Sequence, residues 1–150
     1  QNVEVANPSW MSGGVELLHA RYIEQVFSPH VHEGFAFVMI EQGAQRFHHR
    51  GAEHFAPAGS VVLINPDELH TGATAHEAGW RYRGFYPEHE RVTGVLDELE
   101  LGRHGMPSFK DSVIQDPALA IAFSQLHQLV AVFFNVVGIQ EHAQVIPRRD

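Results

Sequence analysis

The chain has 150 residues, 44% hydrophobic and 19% charged, the size and composition of one globular domain with a substantial core. Its formal charge of −8, from 18 acidic and 10 basic side chains, argues against direct contact with a phosphate backbone. It has no cysteine, which excludes disulfides, thiolate metal sites and cysteine nucleophiles and fits a reducing cytoplasm.

No basic stretch followed by an apolar run opens the chain, so no signal peptide is expected there. Polar residues interrupt the apolar runs short of a membrane span, so no transmembrane helix and no membrane partner are expected. Residues 1–14 read as a polar N-terminal arm, with Pro8 and a Gly13-Gly14 pair. Residues 15–26 read as one or two strands, broken by Ser28-Pro29. Residues 35–41 read as a strand ending at Gly43, with residues 45–49 as its hairpin partner and Arg50-Gly51 as the next turn. Residues 53–56 form a short strand closed by Pro57-Ala58-Gly59. Residues 60–64 are continuously apolar and β-branched, the mark of a buried strand. Residues 71–77 and 80–86 read as two more strands, the second with clear alternation. Many short strands with frequent turn signals predict a sandwich or barrel.

Beyond Pro87 the period changes. Val92, Val95, Leu96 and Leu99 recur at helical spacing, with Gly102 as a stop, and residues 109–115 read as an edge strand. Asp116-Pro117 is an N-cap followed by a first-turn proline. Leu119, Ala122, Phe123, Leu126, Leu129, Val130, Phe133 and Val137 then form one apolar stripe, which Gly138 ends. Phe133 and Phe134 lie on adjacent faces, which favours a helix in contact on two sides, the barrel and a partner. Residues 139–150 show no pattern and read as a frayed tail or the start of a linker.

The chemistry-bearing residues lie between Pro29 and His70. In His30-Val31-His32 two imidazoles sit one residue apart, hence on one face of a strand, and His70 returns at the end of a later one. Such a set is a metal site, the remains of one, or the polar lining of a small-molecule pocket. Three imidazoles and a water suit zinc, and imidazole also suits nickel, copper and iron. If His30 and His32 point inward, so do the small residues Gly34 and Ala36, which leaves room for a ligand. Trp80 and Tyr82 share a face and offer polar tips that orient a ligand. Arg81 and Arg83 read as solvated, and His48, His49 and His54 as exposed around the hairpin turn.

This spacing resembles the double-stranded β-helix (cupin) pattern. His30 and His32 fit its histidine pair and Gly43 its closing glycine. Gly59, Asn65-Pro66-Asp67 and His70 keep the spacing of its second motif, with Asn65 in place of proline and Asp67 in place of glycine. The position of the pattern's acid falls on Ala36, or on Phe37 in the longer register, so the carboxylate ligand is missing. Ser28 to Glu33, Glu41 to Phe47, Ala56 to Ser60, Asn65 to His70, Gly79 to Arg83 with Tyr86-Pro87, and later Val113 to Leu119 together resemble the N-terminal effector-binding and dimerisation domain of AraC-type bacterial transcription regulators. That resemblance implies a mainly β fold: a cupin-like jelly-roll barrel over residues 15–88, with C-terminal α-helices packed on it. Residues 89–138 would form a helical and edge-strand dimerisation region. It further implies a small-molecule effector, a homodimer, and DNA contact only through a separate C-terminal helix-turn-helix domain absent from this chain. The expected ligand-binding residues are His30, His32, Ala36, His70, Trp80 and Tyr82. The expected metal ligands are His30, His32 and His70, for a divalent ion such as zinc, nickel or iron. The expected dimer-helix residues are Leu119, Phe123, Leu126, Val130 and Phe133. The rival expectation is a small stand-alone metal-dependent cupin enzyme, a dioxygenase, isomerase or lyase, and a third is a non-catalytic metabolite-binding cupin.

Overall fold

The computed structural model describes residues 7–136 and 141–144. The strands in order are β1 (Asn7–Ser12), β2 (Val15–Tyr22), β3 (Val26–His30), β4 (Ala36–His49), β5 (Ala52–Pro57), β6 (Ser60–Ile64), β7 (His70–Thr74) and β8 (Trp80–Pro87). Helix α1 (His89–Glu98), a single 3-10 turn, β9 (Val113–Gln115), helix α2 (Pro117–Val136) and β10 (Glu141–Gln144) follow. One layer runs β10-β1-β2-β8-β4-β6-β9, and β3, β7 and β5 form a second layer with β4. This is the mainly antiparallel β architecture of a cupin jelly roll.

β4 carries the largest departure from the sequence reading. Residues 35–41 and 45–49 are not hairpin partners; they belong to one long strand. Its first half pairs with β6 and β8, and its second half with β5 and β7. Gly43 bends rather than ends it. Gly43 has φ +72, the pairing with β8 slips between Ile40 and Gln42, and a Cβ here would lie 2.0 Å from the Gly79 carbonyl oxygen. A bulge with a left-handed glycine turns a strand from one layer to the other without breaking it. The Arg50-Gly51 turn then joins β4 to β5, with both residues at positive φ.

Ser28-Pro29 also does not break the chain; it lies inside β3. Among the described residues that strand pairs only with β7, and its register shifts between Phe27 and His30, so the proline sits on an edge at a bulge. Within the segment read as an arm, residues 7–12 pair with β2 and β10. β10 itself arises in the segment read as a tail. Helix α1 stops at Glu98, with Leu99 as its C-cap, rather than at Gly102. Glu100 takes φ +58, and the Glu100 and Leu101 amides donate to Asp97 and Leu96 carbonyls in a Schellman closure.

Alternation sorts the core. Leu18, Ala20, Tyr22, Ile40, Phe47, Val62, Ile64, Trp80 and Tyr82 fill the barrel interior. On the outside, Leu17 and Phe85 meet Ala131, Phe134 and Val130 of α2, while Met39, Val61 and Leu63 meet Ala120 and Phe123. β6 is buried on both faces, which explains its unbroken apolar run. Asp116 caps α2 as expected, accepting from the Leu119 amide at 3.1 Å. The predicted stripe, however, lies mostly outward. Leu119, Leu126, Leu129 and Phe133 are exposed, and the barrel takes Ala120, His127, Ala131 and Phe134. Two alanines let the helix approach the sheet closely. By length and composition alone, Pro117–Phe134 is also apolar enough to cross a bilayer, with mean hydropathy 1.5, contrary to the expectation that no segment would be. Gly138, the predicted stop, lies outside the described residues.

Candidate ligand cavity and histidine cluster

Folding brings together three segments at one end of the barrel. β3 ends on His30, the following loop carries His32, and β7 begins on His70. His32 thus lies just beyond its strand. Ring centroids of the three imidazoles are 4.3 to 5.1 Å apart. One nitrogen from each lies within 4.8 Å of the others. A single atom can therefore sit no more than about 2.8 Å from all three, within hydrogen-bond reach and somewhat beyond a zinc–nitrogen bond.

The tautomers are set by the backbone. His30 Nδ1 donates to the Ser28 carbonyl at 2.7 Å, and His70 Nδ1 donates to the Glu68 carbonyl at 2.9 Å. A carbonyl only accepts, so in each ring the free lone pair is on Nε2. Burial, with the neighbouring His70 and His30, pushes His32 down to about 4, and burial also lowers His70. His32 and His70 are therefore neutral acceptors at neutral pH. This donor set fits a divalent cation: imidazoles with outer hydrogen bonds that fix their orientation are what such an ion requires. Ala36, at the expected acid position, supplies no fourth ligand.

The turn that delivers His70 keeps the shape of the motif despite its altered letters. Asp67 stands at the glycine position and takes φ +61, a conformation aspartate tolerates better than most side chains. Its amide donates to the His32 carbonyl at 2.9 Å, which ties the second motif to the first.

The cluster opens into a cavity of about 300 Å³. All six residues expected to bind ligand line it: His30, His32, Ala36, His70, Trp80 and Tyr82. Gly34 does not; a Cβ there would lie 2.3 Å from the Pro87 carbonyl oxygen, so its smallness serves packing. The sequence did not single out Glu16, Gln45 or Tyr22, which also line the cavity. Tyr22, Tyr82 and Tyr86 form a hydrogen-bonded group; burial raises Tyr82 and Tyr86 well above the usual phenol range, so both stay protonated. The Tyr86 ring lies 5.7 Å from His32. The cavity thus has a wall of apolar residues (Leu18, Val38, Val62, Ile64) and a polar end of imidazoles and phenols, the pattern of a small-molecule site.

Other polar expectations change. His49 is 2% exposed, not solvated; its Nδ1 lies 2.7 Å from Ser112 Oγ. Arg83 is mostly buried and pairs with Glu41, which also meets His19 Nε2 at 3.2 Å. The Arg83 guanidinium donates to His127 Nδ1 at 3.1 Å, and His127 Nε2 donates to the Gly84 carbonyl at 3.1 Å. No local pattern marks this group, because its members come from four elements. Of the expected dimer-helix residues, Leu119, Leu126 and Phe133 are exposed, whereas Phe123 and Val130 pack partly against the barrel.

Solved structures resemble the chain at low identity. A candidate mannose-6-phosphate isomerase from Ralstonia eutropha is 12% identical, with TM-score 0.51 over 56% of this chain and 83% of its own. A cupin-2 domain protein from Shewanella frigidimarina is 14% identical (TM-score 0.47, 54% and 79% coverage), and KdgF from Halomonas sp. is 17% identical (0.46, 60% and 88%). No curated protein matches the chain. Residues 12–145 match the family model of the AraC-like ligand binding domain, and the chain belongs to that family.

Proposed function

We propose that this chain is the effector-sensing and dimerisation domain of a bacterial transcription regulator, acting in the cytoplasm, with DNA bound through a separate helix-turn-helix domain. The observation that supports it is the cavity of about 300 Å³, apolar along one wall and polar at one end, inside a domain of the AraC-like ligand binding family. An effector enters the barrel, contacts His30, His32, His70, Trp80 and Tyr82, and favours one of two arrangements of barrel and helices. It shifts that equilibrium by no more than its differential affinity for the two. The outward face of α2 is the surface through which two copies meet.

Calorimetry against a metabolite library, followed by sedimentation with any hit, tests this. The expected result is one compound that binds stoichiometrically, loses affinity in His32→Ala and changes the monomer–dimer equilibrium. A library without a binder, or a binder that leaves assembly unchanged, would count against it. Reading the natural gene past the codon for Asp150 tests the DNA-binding part: two helix-turn-helix patterns with a basic balance are expected.

A second reading rests on the preset tautomers of His30 and His70. These residues and His32 would hold a divalent metal such as zinc, nickel or iron. The ion would supply Lewis-acid chemistry for a small isomerase or lyase or, as iron or nickel, redox chemistry for a dioxygenase. Stoichiometric metal after purification without a histidine tag, together with turnover of a substrate, would favour it.

A further inference from the structure

The segment that leads from the barrel into α2 is fastened to the turn that carries the third histidine. Glu68 is the centre of that fastening. Its backbone carbonyl accepts from His70 Nδ1 at 2.9 Å. Its carboxylate accepts from Arg50 Nε at 2.7 Å, from Arg50 Nη2 at 3.2 Å and from the Asn65 amide at 3.0 Å. The same guanidinium donates to the carbonyls of Phe109 and Lys110, each at 2.6 Å. The Asn65 side chain exchanges two hydrogen bonds with the Phe109 backbone, at 3.0 and 2.9 Å. A little further on, the Ser112 carbonyl accepts from the Leu63 amide at 3.0 Å. Only four residues separate Ser112 from Pro117, the first residue of α2.

We propose that Arg50, Glu68 and Asn65 form a clasp that positions His70 in the cavity and couples the state of the cavity to the placement of residues 109–116, and so of α2. The clasp deepens the effector-sensing reading and draws its purpose from it. The geometry argues for coupling rather than for anchoring alone. One residue, Glu68, offers its carbonyl to the cavity histidine and its carboxylate to the clasp. His70 cannot move by a full hydrogen-bond length without either breaking this bond or turning the Glu68 peptide, and Glu68 carries the side chain that Arg50 grips. Arg50 in turn reaches main-chain carbonyls, so it reads the path of the 109–110 backbone whatever side chains it bears. A lysine in its place would keep the charge and lose the planar fork that spans carboxylate and carbonyls together.

Coupling between sites is reciprocal, so it is measurable from both ends without any effector. Amide hydrogen exchange and long-range imidazole spectra of the whole chain serve for this, with Arg50→Lys perturbing the clasp and His70→Ala perturbing the cavity. In Arg50→Lys the His70 ring signals are expected to shift and exchange at Phe109 to rise. In His70→Ala, exchange at Phe109 and at the Ala120 amide in the first turn of α2 is expected to rise by a factor of about 5 or more, the low end of couplings between sites. Amides of the β1–β2 hairpin serve as the internal control for global loss of stability. A clasp that only anchors the chain would respond to Arg50→Lys and not to His70→Ala. Wild-type exchange over 109–120 in His70→Ala therefore overturns the proposal, as do unchanged His70 signals in Arg50→Lys. The effector-sensing reading fails separately, if no metabolite enters the cavity while this coupling is present.

Discussion

His127 sits at the centre of the face that α2 turns to the barrel, and it is fully buried. Burial, reinforced by the Arg83 guanidinium beside it, lowers it to about 4. His32 is lowered to the same value, chiefly by burial. Both are neutral in the folded chain at pH 5, whereas imidazoles of the unfolded chain, with pKa near 6.5, have taken up a proton. The unfolded state then binds more protons, so stability falls as pH drops from about 6.5 toward 4. Denaturant unfolding at several pH values measures this, and His127→Gln is expected to remove about one proton from the linkage near pH 5. An unchanged slope would mean that His127 is not held neutral. Glu68 acts in a lower window. Burial alone would raise it, but Arg50 and Asn65 outweigh that and hold it at about 2, so its contribution is present above about pH 4.5 and fades as pH falls through 2. At this scale the sequence exposed the cavity histidines, because a two-residue spacing and a returning histidine are local signals. It hid the His19–Glu41–Arg83–His127 group and the Arg50 clasp, whose partners lie tens of residues apart.

At the scale of elements, α2 shows why periodicity finds a helix more easily than its buried side. The helix is apolar nearly all round, so the most continuous stripe of large residues gives no direction. The barrel accepts the side with Ala120, Ala131 and His127, where small residues allow close approach and a polar group meets Arg83 and Gly84. Leu126, Leu129 and Phe133 are left 54%, 68% and 58% exposed. A face of this kind is unusual on a monomer in water and implies a covering surface. In the proposed dimer, Leu129→Glu is expected to give a monomer in sedimentation while changing folding stability by no more than about 0.5 kcal/mol, as surface substitutions do. Unchanged assembly would remove α2 from the interface. Flotation with liposomes distinguishes the other surface that such a helix fits by length and composition. β4 shows the converse difficulty. Gly43 carries the local signature of a turn, and only the partner strands decide that it is a bulge within one strand.

For the whole molecule, the cavity is a product of folding. His30 and His32 come from one end of the second layer, His70 from a strand that begins forty residues later, and Trp80 and Tyr82 from the first layer. The unfolded chain has no such site, so whatever binds there stabilises the fold by mass action. At a concentration 100 times its Kd, a ligand adds about 2.7 kcal/mol, which for a domain of this size raises Tm by roughly 5 to 11 °C. A thermal scan with zinc, nickel, cobalt and iron(II), each against wild type and His32→Ala, turns this into a choice between the two functional readings. Three imidazoles without a carboxylate leave a divalent ion with its full charge and open coordination positions, so a metal that binds should raise Tm in wild type and not in the variant. A metal-dependent rise with turnover favours an enzyme. A rise that appears only with a metabolite, and that vanishes in His32→Ala, makes the imidazoles hydrogen-bond acceptors for an effector. In that case the fixed Nε2 lone pairs of His30 and His70 require a ligand that presents hydrogen-bond donors to this end of the barrel.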